Sequence, residues 1–232
     1  MKTQLTNYSI CILLVILWSC SKKQAEQKEL VLHSNYDQIQ DIVSIADCDS
    51  PFGKYITEVH SLTDGSCYFF QKFADNNVPF IVKVNADNKG HIINEQDVIL
   101  DTLSTEDVEM IRGHEIHKMS IDPWFFFEDI TYEKQLKYLG TESELYNGKD
   151  NLDNPVEIVY NRRKKLISKI ALLNPKDTLQ TIEILYDKWV QSNYGKMLKE
   201  IKIVQAKKDT FYFDFRSLKV SDESGGNNII DL

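Results

Sequence analysis

The sequence predicts a mainly β protein with a few helices, built as a curved antiparallel sheet or incomplete barrel of about ten or eleven strands under a helical lid. Eleven tyrosines and eleven phenylalanines against nine glycines favour extended, bulky packing. From residue 54 onward the apolar positions alternate, as they do in strands with one buried face. Short clusters of turn residues separate these segments, which indicates consecutive hairpins.

Residues 1–19 are predicted to be a signal peptide. Lys2 provides a basic start, and Ile10 to Trp18 form an apolar core of nine residues. As a helix this core would be about 13 Å long, whereas a bilayer needs about 30 Å. A short apolar core behind a basic residue is typical of a secretion signal rather than of a membrane span.

The tetrad Leu17-Trp18-Ser19-Cys20 resembles the lipobox of bacterial lipoproteins, although Trp18 is larger than the usual residue. The resemblance implies that diacylglycerol is attached to Cys20, that the chain is cut before it and that the new amine is acylated with a palmitate-type chain. An ordinary signal peptide or an uncleaved helix is the alternative. Ser21, where an aspartate would favour the inner membrane, and Lys22-Lys23, in place of acidic surface-export tracts, imply a periplasm-facing outer-membrane lipoprotein.

The remaining chain divides into a lipidated, polar tether at 20–33, one domain at 34–220 and a loose tail at 221–232 that is rich in glycine, asparagine and serine. The net charge of −8 makes nucleic acid an unexpected partner, since the longest basic run is Arg162 to Lys165. The expected partners at this point are the membrane and other envelope proteins.

Apolar spacings of three and four predict an N-terminal helix over 35–46, and period-two segments predict the strands. Ser104 to Asp107 begins a second helical region in the manner of a capping box, and Pro123 is followed by four aromatics. These mid-chain helices are expected to cover the concave side of the sheet. The predicted strands are 55–61, 67–73, 78–85, 91–94, 98–103, 136–145, 156–162, 166–173, 179–190, 197–206 and 211–220.

This layout resembles the lipoprotein-localisation fold of the LolA, LolB and LppX-like superfamily over residues 34–220. The resemblance rests on the order of elements: a helix, a meander, a helical insert ending in Pro123-Trp124, and late hairpins over 160–189 and 194–203. It implies an incomplete antiparallel barrel with a helical lid and an apolar cavity for acyl chains or another lipid. The lipobox matches the membrane-anchored branch. No family binding residue can be placed on this sequence by motif.

Eight aromatic residues are candidates for lining such a cavity. Ligand cavities and filled cores use the same residue types, so both interpretations stay open for each of them. The candidates are Trp124, Phe125, Phe126, Phe127, Trp189, Phe211, Phe213 and Phe215.

Cys48 and Cys67 are the two other cysteines of the secreted chain. A disulfide between them would close a loop of about 20 residues and add roughly 3 kcal/mol of stability. Two buried free thiols are the alternative, because the sequence does not show that the residues are close.

The sequence gives no reason to expect a catalytic residue, a metal or a cofactor. His114-Glu115-Ile116-His117 has the wrong spacing for a zinc helix, so a position on the surface or at a hinge of the lid is expected. Glu142 and Glu144 share the spacing of one strand face and are expected to be surface acids rather than a glycosidase pair.

The sequence therefore favours a non-enzymatic envelope lipoprotein that binds a hydrophobic ligand. A structural lipoprotein of an outer-membrane complex, with a filled core, is the alternative. An envelope hydrolase is a third hypothesis, for which no nucleophile and base can be named.

Overall fold

The computed structural model describes residues 28–76, 78–222 and 226–232, so the predicted signal peptide and Cys20 lie outside the described residues. Helices α1 (Thr105–Arg112) and α2 (Ile116–Ile121) lie mid-chain, and 3₁₀ turns occupy Ser34–Gln38 and Pro123–Phe125. The strands are β1 (Ile39–Ser50), β2 (Gly53–Ser61), β3 (Cys67–Phe73), β4 (Phe80–Val84), β5 (Gly90–Ile93), β6 (Ile99–Thr102), β7 (Glu128–Tyr138), β8 (Thr141–Lys149), β9 (Pro155–Asn161), β10 (Leu166–Asn174), β11 (Asp177–Ser192), β12 (Gly195–Gln205), β13 (Asp209–Asp222) and β14 (Asn227–Asp231).

The strands form one open antiparallel sheet, in the order β6-β5-β4-β3-β2-β1-β13-β12-β11-β10-β9-β8-β7, with β14 branching from β13. The predicted mainly β fold, with a curved sheet and a helical lid, is confirmed. Fourteen strands are present among the described residues, more than the ten or eleven predicted. In that part of the chain, no helix has the length and apolar character needed to cross a bilayer.

The predicted helix over 35–46 is wrong. After the first 3₁₀ turn these residues form β1, in which Ile42, Ser44, Ala46 and Cys48 are buried at alternate positions. β1 lies in the middle of the sheet and pairs along its length with both β2 and β13. Hydrogen bonding to two neighbouring strands, with two register shifts on the β13 side, outweighs a helical spacing that β-branched residues support only weakly.

At two other places the structure differs from what the turn-forming residues of the sequence suggest. The strand predicted over 136–145 is a hairpin, which turns at Leu139 and Gly140 with φ angles of 46° and 77°. The Asn147-Gly148 pair, a dipeptide typical of hairpin turns, lies inside β8. A Cβ atom on Gly148 would lie 3.0 Å from the Glu128 carbonyl oxygen, so the glycine permits a close approach of β7 rather than a turn.

The predicted loose tail is partly wrong as well. Asn227–Asp231 forms β14, which pairs with β13 from Ser217 to Ser221. Ile230 and Leu232 pack against the main core, and this burial explains why a segment with two asparagines and an aspartate forms a strand.

Cys48 and Cys67 are both free and buried, so the structure has the alternative without a disulfide. Cys48 pairs with Tyr55 of β2, whereas Cys67 pairs with Ser61 of the same strand. Tyr55 and Ser61 are six positions apart, which is about 20 Å along a strand. A disulfide requires Cα atoms within about 7 Å.

The interior has two parts. The larger core lies against β1 and β8–β13, and α2 contributes Ile116, Met119 and Ile121 to it. A smaller cluster fills the space between α1 and the β2–β4 region, with Val108 and Ile111 facing Phe69 and Val82. The two helices therefore cover neighbouring parts of one sheet face.

Candidate functional site

A cavity of about 210 Å³ lies between the sheet and the C-terminal half of α1. The sheet contributes the floor from six strands, and the end of α1 with its following residues contributes the roof. The lining residues are Tyr55, Gln71, Glu109, Met110, Gly113, His114, Leu172, Pro175, Ile182, Ile184, Ile203, Gln205, Phe211 and Phe213.

The floor is apolar because the alternate residues that face the cavity are aliphatic or aromatic, and those of adjacent strands pair with one another. Ile184 of β11 pairs with Ile203 of β12, which pairs with Phe211 of β13. Leu172 of β10 pairs with Ile182 of β11 in a second row. Paired residues of antiparallel strands project to the same side, so the two rows form one continuous apolar surface.

The roof begins at a capped helix end. The Ser104 side chain accepts a hydrogen bond from the Asp107 backbone N–H, as the capping pattern predicts. Val108 packs on Gly90, where an added Cβ would lie only 2.7 Å from the valine side chain. This close approach sets α1 down on β5, while Glu109 and Met110 face the cavity.

A buried ion pair anchors the far end of α1. Arg112 donates to Glu115 Oε1 at 2.8 Å, to Asn88 Oδ1 at 2.8 Å and to the Gly65 carbonyl at 2.7 Å. Burial raises the pKa of Glu115, and the Arg112 charge and the Ser61 side chain act against that rise. The network ties the lid to the β2–β3 and β4–β5 turns, which carry Gly65 and Asn88.

His114 and His117 lie in different surroundings, so the motif that contains them does not converge on one point. His114 lines the cavity beside Phe69, with 4.7 Å between ring centroids, and its Nδ1 has no hydrogen-bond partner among the described residues. His117 is buried, so a surface position is wrong for it; its Nε2 lies 3.0 Å from the Leu198 carbonyl oxygen. Within the described chain, no group of three or more His, Cys, Asp or Glu residues could hold a metal ion.

Both histidines are neutral at pH 7. Burial lowers the pKa of each to about 4, and for His117 the bond to the Leu198 carbonyl acts against that shift. A carbonyl oxygen can only accept, so Nε2 of His117 carries the proton. Burial also raises the pKa of Glu109, whose carboxylate accepts a 3.2 Å hydrogen bond from Asn151.

The eight aromatic candidates do not come together. Phe211 and Phe213 line the cavity, whereas Phe215 packs beneath α2 against His117. Phe126 and Phe127 are buried in the main core, while Trp124 and Phe125 are 50% and 39% exposed. Trp189 stacks on Tyr186, away from the cavity.

The residues that the sequence did not nominate are the aliphatic floor and the polar part of the roof. Ile182, Ile184 and Ile203 were visible only as alternating strand positions. Their cavity role depends on the space left by α1, which no local pattern records.

Glu144 is also placed differently from its prediction as a surface acid. It is buried, and it accepts bonds from Arg162 Nε at 2.8 Å and from the Tyr146 hydroxyl at 3.0 Å. Burial alone would raise the pKa of this carboxyl, but the two donors hold it below its ordinary value. Glu142, by contrast, is exposed.

No family model and no curated protein matches the chain. Solved structures do match. A LolA superfamily protein from Nitrosomonas europaea superposes with a TM-score of 0.59 at 10% identity, over 80% of this chain and 87% of that one. An outer membrane lipoprotein-sorting protein domain from Vibrio parahaemolyticus superposes with a TM-score of 0.54 at 7% identity, over 78% and 85%.

A DUF1329 family protein from Desulfovibrio piger also superposes, with a TM-score of 0.54 at 12% identity, over 79% of this chain and 86% of that one. At such identities the likeness concerns the fold. The arrangement of sheet and lid is therefore LolA-like, as the order of elements in the sequence predicts.

Proposed function

We propose that this chain, whose fold is LolA-like, is a membrane-anchored lipoprotein of the bacterial envelope that binds a lipid or acyl chain under α1. The observation that carries the proposal is the apolar floor formed by Ile184, Ile203 and Phe211 beneath a helical roof. One of the similar structures carries a lipoprotein-sorting name, which supports a role in lipid or lipoprotein trafficking. The lipobox-like tetrad ending at Cys20 supports lipid attachment, Ser21 supports the outer membrane, and Lys22-Lys23 supports a domain on the periplasmic side.

Apolar burial supplies the binding energy. Each methylene group removed from water contributes about 0.8 kcal/mol, and the neutral His114 adds no charge to oppose it. The cavity of about 210 Å³ is smaller than typical ligand pockets of about 300–1,000 Å³. A long chain can therefore enter only if α1 moves away from the sheet.

The proposal includes no chemical change of the ligand. The lining contains no serine, threonine, cysteine or lysine that could act as a nucleophile. His114 and Glu109 are the ionisable residues of the roof. They suit orientation of a ligand head group better than covalent chemistry.

The alternative is a structural lipoprotein, and the β6 edge favours it. Ile99 and Leu100 are 58% and 63% exposed on this edge strand, which suits pairing with another envelope protein. In that case the cavity would be a packing gap without a ligand.

Mass spectrometry of small molecules bound to the full chain, purified from an envelope-containing host, tests the proposal. A stoichiometric lipid in the wild type is expected, and Ile203→Trp should remove it by filling the cavity. Val204→Trp is the matched control, because Val204 is the next residue of β12 and projects from the opposite face. An empty wild type that also fails to bind a fluorescent fatty acid would exclude ligand binding.

A further inference from the structure

The described chain begins at one end of the sheet and is fastened there. Lys28 lies 3.7 Å from Glu144, Arg162 donates to the Glu29 carbonyl at 3.3 Å, and Tyr160 donates to the Val31 carbonyl. Tyr160 lies near the end of β9, and Arg162 lies in the turn that follows it. The segment 28–31 is therefore held beside the β9–β10 turn.

That turn carries the longest basic run of the sequence. Arg163, Lys164 and Lys165 are exposed and form no ion pair within the described residues, whereas Arg162 is engaged by Glu144. Lys164 and Lys196 also line a cleft of about 390 Å³ with Leu139, which is 86% exposed in the neighbouring β7–β8 turn. The basic end is defined as Leu139, Arg163–Lys165 and Lys196; Lys196 is half-buried, and the other residues are exposed, so this end is cationic and partly apolar.

Acidic groups also lie near the basic end. Glu144 is paired with Arg162 and Lys28, Asp187 lies in the cleft, and Glu29 and Glu142 are exposed. The whole chain has a net charge of −8, so the run Arg163–Lys165 is a local exception to its acidic character. At physiological ionic strength charges beyond about 8 Å are screened, so the local excess of positive charge governs what this end attracts.

We propose that the basic end docks onto an anionic phospholipid surface when the chain is attached to a membrane by its N-terminus. This inference rests on the anchoring part of the proposed function. Cys20 precedes Lys28 by eight residues, a contour of at most about 29 Å. The attachment point is therefore within reach of the basic end, and Arg163, Lys164 and Lys165 match the phosphate groups in charge.

The opposite end of the sheet supplies matched controls. Lys207 and Lys208 are exposed in the β12–β13 turn, and Leu179, which is 95% exposed, lies near the start of β11. Because β11 ends and β12 begins at the basic end, these residues lie a full strand length away from it.

The experiment uses the full chain, reconstituted through its N-terminus into vesicles of phosphatidylcholine with or without phosphatidylglycerol. An environment-sensitive fluorophore is attached at Leu139→Cys or at Leu179→Cys, and headgroup spin-labelled lipid serves as the quencher. The parent chain without either new cysteine gives the background, since Cys48 and Cys67 are buried.

Quenching is expected at position 139 in anionic vesicles, and not at position 179. Each basic residue at an anionic surface increases the equilibrium constant for docking about fivefold. The double variant Arg163→Ala with Lys164→Ala should therefore reduce that constant by roughly 30-fold. Lys207→Ala with Lys208→Ala should leave it unchanged, and high salt should abolish it.

Equal quenching at the two positions, equal quenching in neutral vesicles, or equal effects of the two double variants would overturn the proposal. The lipid content of the cavity is measured on the same samples. A protein with an empty cavity that still docks through the basic end would contradict ligand binding alone, and a loaded protein that does not dock would contradict this inference alone.

Discussion

The regions beneath α1 and α2 lie side by side on the same sheet face, yet only the first contains the cavity. Beneath α2, His117 packs edge-on against Phe215 with 4.3 Å between ring centroids, and Met119 and Leu198 are buried. Beneath α1, His114 and Phe211 border empty space. Both regions use aromatic, aliphatic and histidine side chains. Helix placement rather than residue type therefore distinguishes a cavity from a core.

The largest expected effect contrasts two phenylalanines of β13. Phe215→Ala should lower the free energy of unfolding by about 3–5 kcal/mol, because it removes a fully packed ring. Phe211→Ala should cost less than about half as much, since one side of that ring already faces the cavity. Chemical denaturation measures both, and equal losses would contradict the distinction between the two regions.

The next effect concerns the ion pair that holds α1 over the cavity. Arg112→Ala leaves Glu115 buried without its partner, so we expect a loss of about 3 kcal/mol in the free energy of unfolding. Lys188→Ala, which breaks the exposed pair with Glu200, should cost about 0–1 kcal/mol. If thermal and chemical unfolding show the same small loss for both variants, the lid is not anchored through Arg112.

Because His114 and His117 are buried, the stability of the protein should depend on pH. Their folded pKa values of about 4 lie below the ordinary value, so between pH 6.5 and 4 the unfolded chain binds more protons. Stability should therefore fall as the pH is lowered through that range, by roughly 3 kcal/mol or less per histidine.

Replacing each histidine on its own distinguishes the contribution of the region beneath α2 from that of the region beneath α1. His117→Gln should flatten the pH dependence of unfolding and also lower stability at pH 7, since it disturbs a packed contact. His114→Gln should flatten the pH dependence with little loss at pH 7. A pH profile that neither variant changes would exclude both histidines as its source.

The smallest effect is expected at the roof. Burial raises the pKa of Glu109, so its charged form is disfavoured by folding and stability should decrease as the pH rises through that pKa. Glu109→Gln mimics the protonated form and should stabilise the protein by less than about 1 kcal/mol at pH 7. Glu106→Gln, on the exposed first turn of α1, is the control in the same denaturation experiment.

Most of the fold could be predicted because strand alternation and turn chemistry are local. The mistake at β1 arose where the spacing of Ile39, Ile42 and Ala46 suits a helix, and the outcome was decided by pairing with β13, which lies far along the chain. The hairpin at Leu139 was missed because a leucine occupies a left-handed position that the turn rules assign to glycine or asparagine.

The site was less predictable than the fold. Phe211 and Phe213 were nominated with six other aromatics, and the structure places those six outside the cavity lining. The floor residues Ile184 and Ile203 were not nominated. Their chemistry is that of core residues, and the space above them depends on where α1 lies relative to the sheet.

The position of the N-terminal segment determines how far the cavity lies from the point where the chain would be anchored. Gly195 begins β12 near that segment, where Tyr36 donates to the Lys196 carbonyl, and Gln205 ends the same strand at the cavity rim. Ten residues of strand separate them, about 30 Å. If the basic end lies on a membrane, as proposed above, the rim points away from that membrane. A lipid bound under α1 would then be about a strand length from the bilayer, and its transfer to that bilayer would require the domain to tilt.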